Sequence, residues 1–327
     1  MDTPALNAVL RINDELETLP SVSFTLPNGV ILKGRTLPSM NTQETNSPAH
    51  VVLCLHGYLD NCHSFGPMMS VLDLESRSAG PSASTFTSST RPIFAIDFAG
   101  HGRSSHRSVD AHYHSSDYIQ DIVALITSQR WQKVTLVGHS MGGIIACSVA
   151  AVLPDIIERL ILLETAGPLV DAESQTVTQM RTSIESRMAA TQKSPKQPAH
   201  YEAVLQARMK VSDLSIAHAD MLMRRNLRFD VPTDEVTVEA ACRWGTDSRL
   251  RTVSTLRFTH AQAQNIIEHI VCPVTMLIAE HGFERVKQQA KERAEWFRSL
   301  NVIHAPGNHY VHMQYPQLIA DILHTST

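Results

Sequence analysis

A serine flanked by glycines is the strongest chemical signal in the sequence. Residues 138–142 read GHSMG, which fits the pattern G-x-S-x-G around Ser140. An apolar, β-branched run at 134–137 precedes the pattern, and an apolar run rich in small residues follows it at 144–151. The order strand, tight turn and helix predicts a nucleophile elbow that exposes the Ser140 hydroxyl. The start of the helix behind this bend would favour negative charge developing there.

The two glycines of the pattern have a steric explanation. We expect a Cβ atom at residue 138 or 142 to collide with the neighbouring strand or helix. The same letters would also describe an ordinary glycine-rich turn. The strand before the turn and the helix after it favour the elbow.

A serine hydroxyl is a weak nucleophile until a neighbouring base takes its proton, and imidazole suits that task. His309 is favoured among the 17 histidines by its position. It stands in a predicted turn at 306–309, between a short last strand at 302–303 and the closing helix. In a doubly wound sheet this turn opens at the carboxyl edge of the strands, where Ser140 is also expected.

The third group should be a carboxylate that orients the imidazole and stabilises its charge. Two glutamates stand at the ends of predicted strands, Glu164 after 159–163 and Glu280 after 274–279. Either one keeps the chain order serine, acid, histidine. Glu164 is favoured because its strand follows the elbow directly, and Glu280 is the open alternative.

An oxyanion hole needs two backbone N–H groups aimed at the developing charge. Met141 follows the nucleophile and would supply one of them. The other should come from the loop after the first buried parallel strand, 51–55, and we predict the N–H of Tyr58. Gly57 would leave room there for a substrate carbonyl.

Some polar residues beside these motifs are predicted to be structural and not catalytic. They are His56, Asp97 and His139. His312 is the nearest alternative to His309 as the base, but it is predicted to pack under the closing helix.

Composition limits the class of protein. The 327 residues are 43% hydrophobic and 18% charged, so a large core is expected. The net charge of −4 and the absence of a basic stripe argue against nucleic-acid binding. Five scattered cysteines indicate neither disulfides nor a zinc site. No signal peptide or membrane span is expected, which favours a cytoplasmic location.

Strands alternate with helices along most of the chain, which predicts an α/β fold with a mostly parallel sheet covered on both faces. The alternation breaks at about residue 168, where three amphipathic helices are predicted at 172–190, 199–210 and 213–225. We interpret this block as an inserted helical cap. The predicted division is core residues 1–167, cap residues 168–265 and core residues 266–327. Methionines at apolar positions of the cap are Met180, Met188, Met209, Met221 and Met223.

Several stretches resemble the α/β-hydrolase superfamily, and more narrowly the serine hydrolase-like, kraken-type proteins. They are VLCLHGYLDNCHSF at 52–65, FAIDFAGHGRSSH at 94–106, VGHSMGG at 137–143, LILLETAG at 160–167, RWGTDSRL at 243–250, LRFTHAQAQ at 256–264 and PGNHYVHM at 306–313.

The resemblance implies a triad of Ser140, an acid and His309, with the Tyr58 and Met141 amides as oxyanion donors. Many members of the superfamily carry the acid as an Asp after the strand that precedes the last. Here that region reads AEHGFE, with Gly282 near the expected place. Other members place the acid after the strand that follows the elbow, where Glu164 stands.

These residues predict a serine hydrolase that cleaves small to medium apolar esters through an acyl-enzyme on Ser140. The expected partner is a small acyl substrate, with no metal and no organic cofactor. Carbon–carbon bond hydrolysis or cofactor-free perhydrolysis with the same triad is an alternative. A non-catalytic binding protein on the same fold is a third hypothesis, and intact Ser140 and His309 argue against it.

Overall fold

The fold is built on one large sheet. The computed structural model describes residues 19–38, 50–78, 91–192, 197–198, 200–232 and 235–325. The strands are β1 Ser21–Thr25, β2 Ile31–Leu37, β3 His50–Leu55, β4 Ile93–Ile96, β5 Lys133–His139, β6 Ile157–Leu163, β7 Leu227–Phe229, β8 Cys242–Trp244, β9 Val274–His281 and β10 Leu300–Asn308. Eight of them form the sheet in the order β1-β2-β4-β3-β5-β6-β9-β10, and β7 pairs with β8.

Helices lie between the strands. They are α1 Gly66–Ser78, α2 Ser115–Ser128, α3 Met141–Val152, α4 Thr176–Thr191, α5 Tyr201–Ser212, α6 Ile216–Asn226, α7 His260–Glu268, α8 Glu284–Arg293, α9 Val311–Gln314 and α10 Pro316–His324. The strands from β4 to β10 in the sheet order all pair in parallel, whereas β1 and β2 are antiparallel at one edge. The predicted fold class, a mostly parallel α/β sheet with helices, is confirmed.

The inner strands of the sheet, such as β3, are apolar along most of their length because both faces of the sheet are covered there. In β3, Val51, Leu53 and Leu55 pack in a cluster with helices α2, α3, α7 and α8. Val52 and Cys54, which point to the other face, pack with α1, α10 and the helices α5 and α6. Because alternate residues of a strand point to opposite faces, the sheet carries a separate core on each face.

The last strand is longer than the sequence indicated. The predicted strand at 302–303 is part of β10, and the predicted turn at 306–309 is wrong over its first three residues. The strand continues to Asn308, which pairs with His281 after a bulge. Because β10 is an edge strand, several of its side chains are exposed and hydrophobicity does not mark its ends.

The segment between β6 and β9 adds no strand to the large sheet. It contains α4, α5 and α6, close to the three predicted cap helices, and also the small sheet β7–β8, which was not predicted. Helix α7 begins at His260 and packs its Ala263 and Ile267 against the core, so the predicted boundary at 265 falls inside a helix. The division into core and cap stays a prediction, and the word cap below names only the segment of residues 168–265.

A buried ion pair joins the cap helix α6 to the sheet. Asp97, after β4, accepts hydrogen bonds from Arg225 Nε at 3.0 and 2.9 Å, and neither residue is more than 4% exposed. Asp97 also accepts from the N–H groups of Cys62 and Arg103. Burial alone would raise the pKa of Asp97, but the charge and hydrogen bonds of Arg225 hold it below its usual range. The predicted structural role of Asp97 is confirmed.

The cysteines and the lengths of the helices also bear on predictions from the sequence. All five cysteines, each within the described ranges, are free thiols. No helix in the described part of the chain is long and apolar enough to span a membrane.

We expect Asp97→Asn to lower the free energy of unfolding by about 3–5 kcal/mol, because it leaves the Arg225 charge buried and unpaired. The control is Asp230→Asn, since Asp230 forms an ion pair with Arg243 in which both side chains are more than 60% exposed. That change should cost less than about 1 kcal/mol. Urea unfolding followed by circular dichroism measures both. Equal effects of the two changes would contradict a structural role for the buried pair.

Candidate active site

Ser140 lies on a strained bend between β5 and α3. Its backbone has φ 50° and ψ −115°, an unusual conformation for a residue other than glycine. The Ser140 N–H donates to the Leu163 carbonyl at 3.0 Å, which ties the bend to β6. A Cβ atom at Gly138 would overlap the backbone of Gly143, and one at Gly142 would overlap the carbonyl of Leu55. The steric explanation for the two glycines is therefore confirmed.

His309 and Glu164 form a hydrogen-bonded pair at the same edge of the sheet. His309 Nδ1 lies 3.2 Å from Glu164 Oε2. The Glu164 side chain is fully buried, and it also accepts from the N–H groups of Ala279 at 2.7 Å and Phe283 at 3.4 Å. With its Nδ1–H donated to the carboxylate, the imidazole presents Nε2 as a proton acceptor.

Gly282 makes room for this carboxylate. A Cβ atom at Gly282 would overlap the carboxyl group of Glu164. The alternative acid, Glu280, lies near the end of β9 with an exposed side chain, and its carbonyl accepts from Lys287 Nζ. The structure thus brings Glu164, and not Glu280, to His309.

Ring contacts and a second histidine also hold His309 in place. Phe283 stacks on it with ring centroids 4.1 Å apart. His139 Nε2 lies 2.8 Å from the His309 carbonyl oxygen, so an Nε2–H of His139 donates to the backbone that carries His309. His312 packs against His139, with ring centroids 4.1 Å apart. His139 and His312 are both buried, which agrees with the structural roles predicted for them.

The loop after β3 carries Tyr58. Neither its N–H nor that of Met141 has a hydrogen-bond acceptor among the residues that the structure describes. Leu59, the next residue, has φ 58°, and its carbonyl accepts from Asn226 at 2.9 Å. The Tyr58 hydroxyl donates to the Leu250 carbonyl at 2.9 Å. The free N–H of Tyr58 is thus held in place by the contacts of its loop with Asn226 and Leu250, whereas that of Met141 is fixed by its place at the start of α3.

His56 fixes the base of this loop. Its Nδ1 lies 2.7 Å from the Gly57 carbonyl oxygen, and its Nε2 accepts from the Phe98 N–H at 3.0 Å. The ring is fully buried, and its structural role is as predicted.

Sequence reasoning missed one polar cluster beside the site. Asp60 is buried and paired with Arg208, which also donates to the Tyr310 hydroxyl at 2.5 Å. Asp60 Oδ2 lies 3.7 Å from His139 Nδ1. Asp60 and Tyr310 stand within the stretches LHGYLDN and PGNHYVHM, where their positions could have drawn attention. No local pattern marks Arg208, because it arrives from helix α5 of the cap.

Three cavities surround the loop of Tyr58 and Leu59. The first, about 440 Å³, is lined by Ser140, His309 and Tyr58, and we call it the serine cavity. The second, about 270 Å³, has a mainly apolar lining, and we call it the apolar cavity. The third, about 280 Å³, is the hydroxyl cavity. Its hydroxyl-bearing residues are Tyr58, Tyr113, Ser115, Tyr118, Thr252 and Ser254. The apolar residues of the second cavity are Leu59, Val204, Ala207, Val211, Met223 and Trp244.

Among the described residues, no three His, Cys, Asp or Glu side chains are grouped so that they could hold a metal ion. Four ionisable groups in or directly behind the serine cavity are instead paired with one another, as Glu164–His309 and Asp60–Arg208.

Comparison with known proteins agrees with this architecture. Residues 50–319 match the sequence profile of the α/β-hydrolase fold family. The match covers most of the chain, and the protein therefore belongs to the α/β-hydrolase family.

Relatives within the family are similar over most of their length. A serine hydrolase-like protein of Danio rerio is 26% identical over 290 residues, which cover 84% of this chain and 81% of the relative. Serine hydrolase-like protein 2 of Homo sapiens is 25% identical, over 83% of this chain and 85% of the relative. A crystal structure of a hypothetical protein from Pseudomonas aeruginosa is 29% identical with a TM-score of 0.76, and the match covers 93% of this chain and 98% of that one. The resemblance to serine hydrolase-like proteins is confirmed.

Burial lowers the pKa of His312 to about 3 and that of His139 well below its usual range, so both rings are neutral in the folded protein. In the unfolded chain a histidine takes up a proton near pH 6.5. The two neutral rings therefore contribute their full stabilisation of the folded state above pH 6.5, and this contribution is lost as the pH falls from there toward 3. Burial also lowers the pKa values of His56, His63 and His101.

We expect the free energy of unfolding to fall between pH 7.5 and pH 5.5. His312→Leu should reduce this fall by about 1.3 kcal/mol, because one proton fewer is taken up on unfolding. His269→Gln, which changes an exposed side chain, is the control and should keep the wild-type fall. Urea titrations at the two pH values measure the difference. An unchanged fall in His312→Leu would mean that His312 is protonated equally in both states.

Proposed function

We propose that this protein is a serine hydrolase that cleaves carboxylic esters through an acyl-enzyme on Ser140. The observation that carries the proposal is the pair of His309 and buried Glu164, placed on the same cavity as the strained Ser140. The two free amides beside Ser140 support it. The names of the relatives, serine hydrolase-like proteins, agree with the reaction class.

In the first half of the proposed reaction, Ser140 Oγ attacks the acyl carbon and His309 Nε2 takes its proton. Glu164 stabilises the imidazolium through Nδ1–H. The carbonyl oxygen becomes an oxyanion that accepts from the N–H groups of Tyr58 and Met141. The tetrahedral intermediate then collapses, and the imidazolium gives its proton to the departing alcohol.

Water completes the cycle. His309 removes a proton from a water molecule, which attacks the acyl carbon of the acyl-enzyme. A second tetrahedral intermediate breaks its bond to Ser140 Oγ, and the imidazolium returns a proton to that oxygen. The products are a carboxylic acid, an alcohol and the original enzyme, so the cycle itself consumes only ester and water.

The cavities support a small to medium substrate with an apolar part. The apolar cavity shares Leu59, Arg208 and Val211 with the serine cavity, so an acyl or alcohol chain could extend from one into the other. Met223 lines the apolar cavity, whereas Met180 and Met188 are exposed elsewhere on the cap. Of these methionines, only Met223 supports the predicted pocket role.

We expect a fluorophosphonate probe to label wild-type protein at Ser140 and to leave Ser140→Ala unlabelled, because only an activated hydroxyl reacts. The control is Ser148→Ala, which removes a buried hydroxyl from α3, the helix that follows Ser140, and should keep full labelling. Mass spectrometry of the labelled peptide locates the adduct. A wild-type protein that is not labelled would favour the non-catalytic binding protein, and labelling of Ser140→Ala would remove Ser140 as nucleophile.

We expect Glu164→Gln to lower kcat for a p-nitrophenyl ester by about 100-fold or more, because a neutral amide cannot stabilise the imidazolium. Glu280→Gln is the matched control and should stay within about twofold of wild type. Thermal unfolding of both variants checks that the fold is kept. Near-full turnover by Glu164→Gln would show that the acid is wrongly assigned.

The same protein tested on a vinylogous diketone separates ester hydrolysis from carbon–carbon bond hydrolysis. Turnover of the diketone without turnover of esters would keep the triad and change the assigned reaction.

A further inference from the structure

The hydroxyl cavity adjoins the proposed nucleophile. Met141 lines it and directly follows Ser140, and Tyr58 lines both this cavity and the serine cavity. The two predicted oxyanion donors therefore lie between the two spaces. A substrate whose acyl carbon sits at Ser140 would extend one part past these residues into the hydroxyl cavity.

Two arginines line this cavity without an acidic partner. Arg251 and Arg257 form no ion pair or side-chain hydrogen bond with any residue that the structure describes. The guanidinium group of Arg251 lies over the Trp244 ring, 5.1 Å from its centroid, which restrains it without neutralising it. Arg251 also lines the apolar cavity, together with Trp244, so it stands between the two cavities. Arg257 also lines a shallow recess with Asp171 and Glu173, but it is not paired with either of them.

Four other arginines around the site are paired with carboxylates. Arg208 pairs with Asp60, Arg225 with Asp97, Arg107 with Asp121, and Arg249 with Asp247. Arg251 and Arg257 are solvent-exposed, and their two unpaired guanidinium groups give this small polar cavity a positive charge although the chain carries a net charge of −4. Arginine binds planar and tetrahedral oxyanions through its paired N–H groups. The hydroxyls of Tyr58, Tyr113, Tyr118 and Thr252 donate to protein oxygens, so Ser115 and Ser254 are the hydroxyl residues left to add a donor among those that line the cavity.

We propose that the hydroxyl cavity binds an oxyanion group of the substrate, a carboxylate or a phosphate, through Arg251 and Arg257. The substrate is then an ester with an apolar part on one side of the bond that is cleaved and an anionic part on the other. This inference rests on the proposed function, since it assigns the substrate class of the same site.

The test compares matched esters that differ in one charge. For the acyl side, the pair is mono-p-nitrophenyl glutarate and p-nitrophenyl pentanoate. For the alcohol side, the pair is 4-acetoxybenzoate and its methyl ester. The quantity measured is the ratio of kcat/KM for the anionic ester to that for its neutral partner.

In wild-type protein we expect this ratio to exceed one in one of the two pairs and to fall as salt is added, because the charges at the cavity are screened. In the double variant Arg251→Gln/Arg257→Gln the ratio should fall by about tenfold or more. Arg243→Gln removes an exposed arginine elsewhere on the cap and should leave the ratio unchanged. A ratio that is the same in wild type and the double variant for both pairs would overturn the proposal.

A phosphate source is separated from a carboxylate source by competition. Glutarate and glycerol 3-phosphate are compared as inhibitors of neutral-ester hydrolysis, and the stronger one identifies the preferred group. Inhibition by either one that persists unchanged in the double variant would contradict the assignment of Arg251 and Arg257.

Failure of this inference is distinguishable from failure of the proposed function. If the wild type hydrolyses the neutral esters and only the charge ratio is insensitive to the arginines, the hydrolase assignment stands and the anion site is wrong. If no ester is turned over, binding of glutarate and of glycerol 3-phosphate to Ser140→Ala is measured by calorimetry. Absence of binding of both, or binding that the double variant retains, would then overturn the anion site.

Discussion

The buried carboxylate of Glu164 is the group on which the geometry of the site depends. A carboxylate without exposed surface is costly unless its oxygens are hydrogen-bonded and its charge is balanced. Here the N–H groups of Ala279 and Phe283 and the imidazole of His309 meet that need. These donors come from β9, from the loop after it and from the end of β10. One side chain thus brings three segments to one point, and Gly282 is required because any side chain there would occupy the same space.

Backbone strain is concentrated around this point. In the described part of the chain, five residues other than glycine have positive φ. Leu59, Ser140 and Asp213 line the serine cavity, and Glu164 lies directly behind it. Such conformations cost about 1–3 kcal/mol each and persist only where the surroundings determine them. The clustering indicates that packing of the sheet and cap is used to hold unfavourable backbone at the reactive edge.

Much of this arrangement could be predicted because it follows from local patterns. The elbow was recognisable because strand, glycine turn and helix are contiguous. His309 and Glu164 were placed by the rule that parallel strands present their carboxyl ends at one edge. The role of Arg208 could not be predicted, since nothing near it in the chain marks a contact with Asp60. The end of β10 was also missed, because an edge strand is defined by pairing with β9 and not by an apolar pattern.

The contacts between helix α6 and the rest of the fold limit how easily this helix can move. Asn226 donates to the loop at Leu59, Asn61 donates to the Leu222 carbonyl, and Arg225 reaches Asp97 under the sheet edge. Movement of α6 away from the sheet would break all of these hydrogen bonds at once, so a state with α6 detached would be rarely populated. The rim of the serine cavity is different, since Val211 on α5 is 78% exposed. Because Val211 also lines the serine cavity, this cavity opens at an exposed edge of α5, and a ligand can reach it while α6 stays attached.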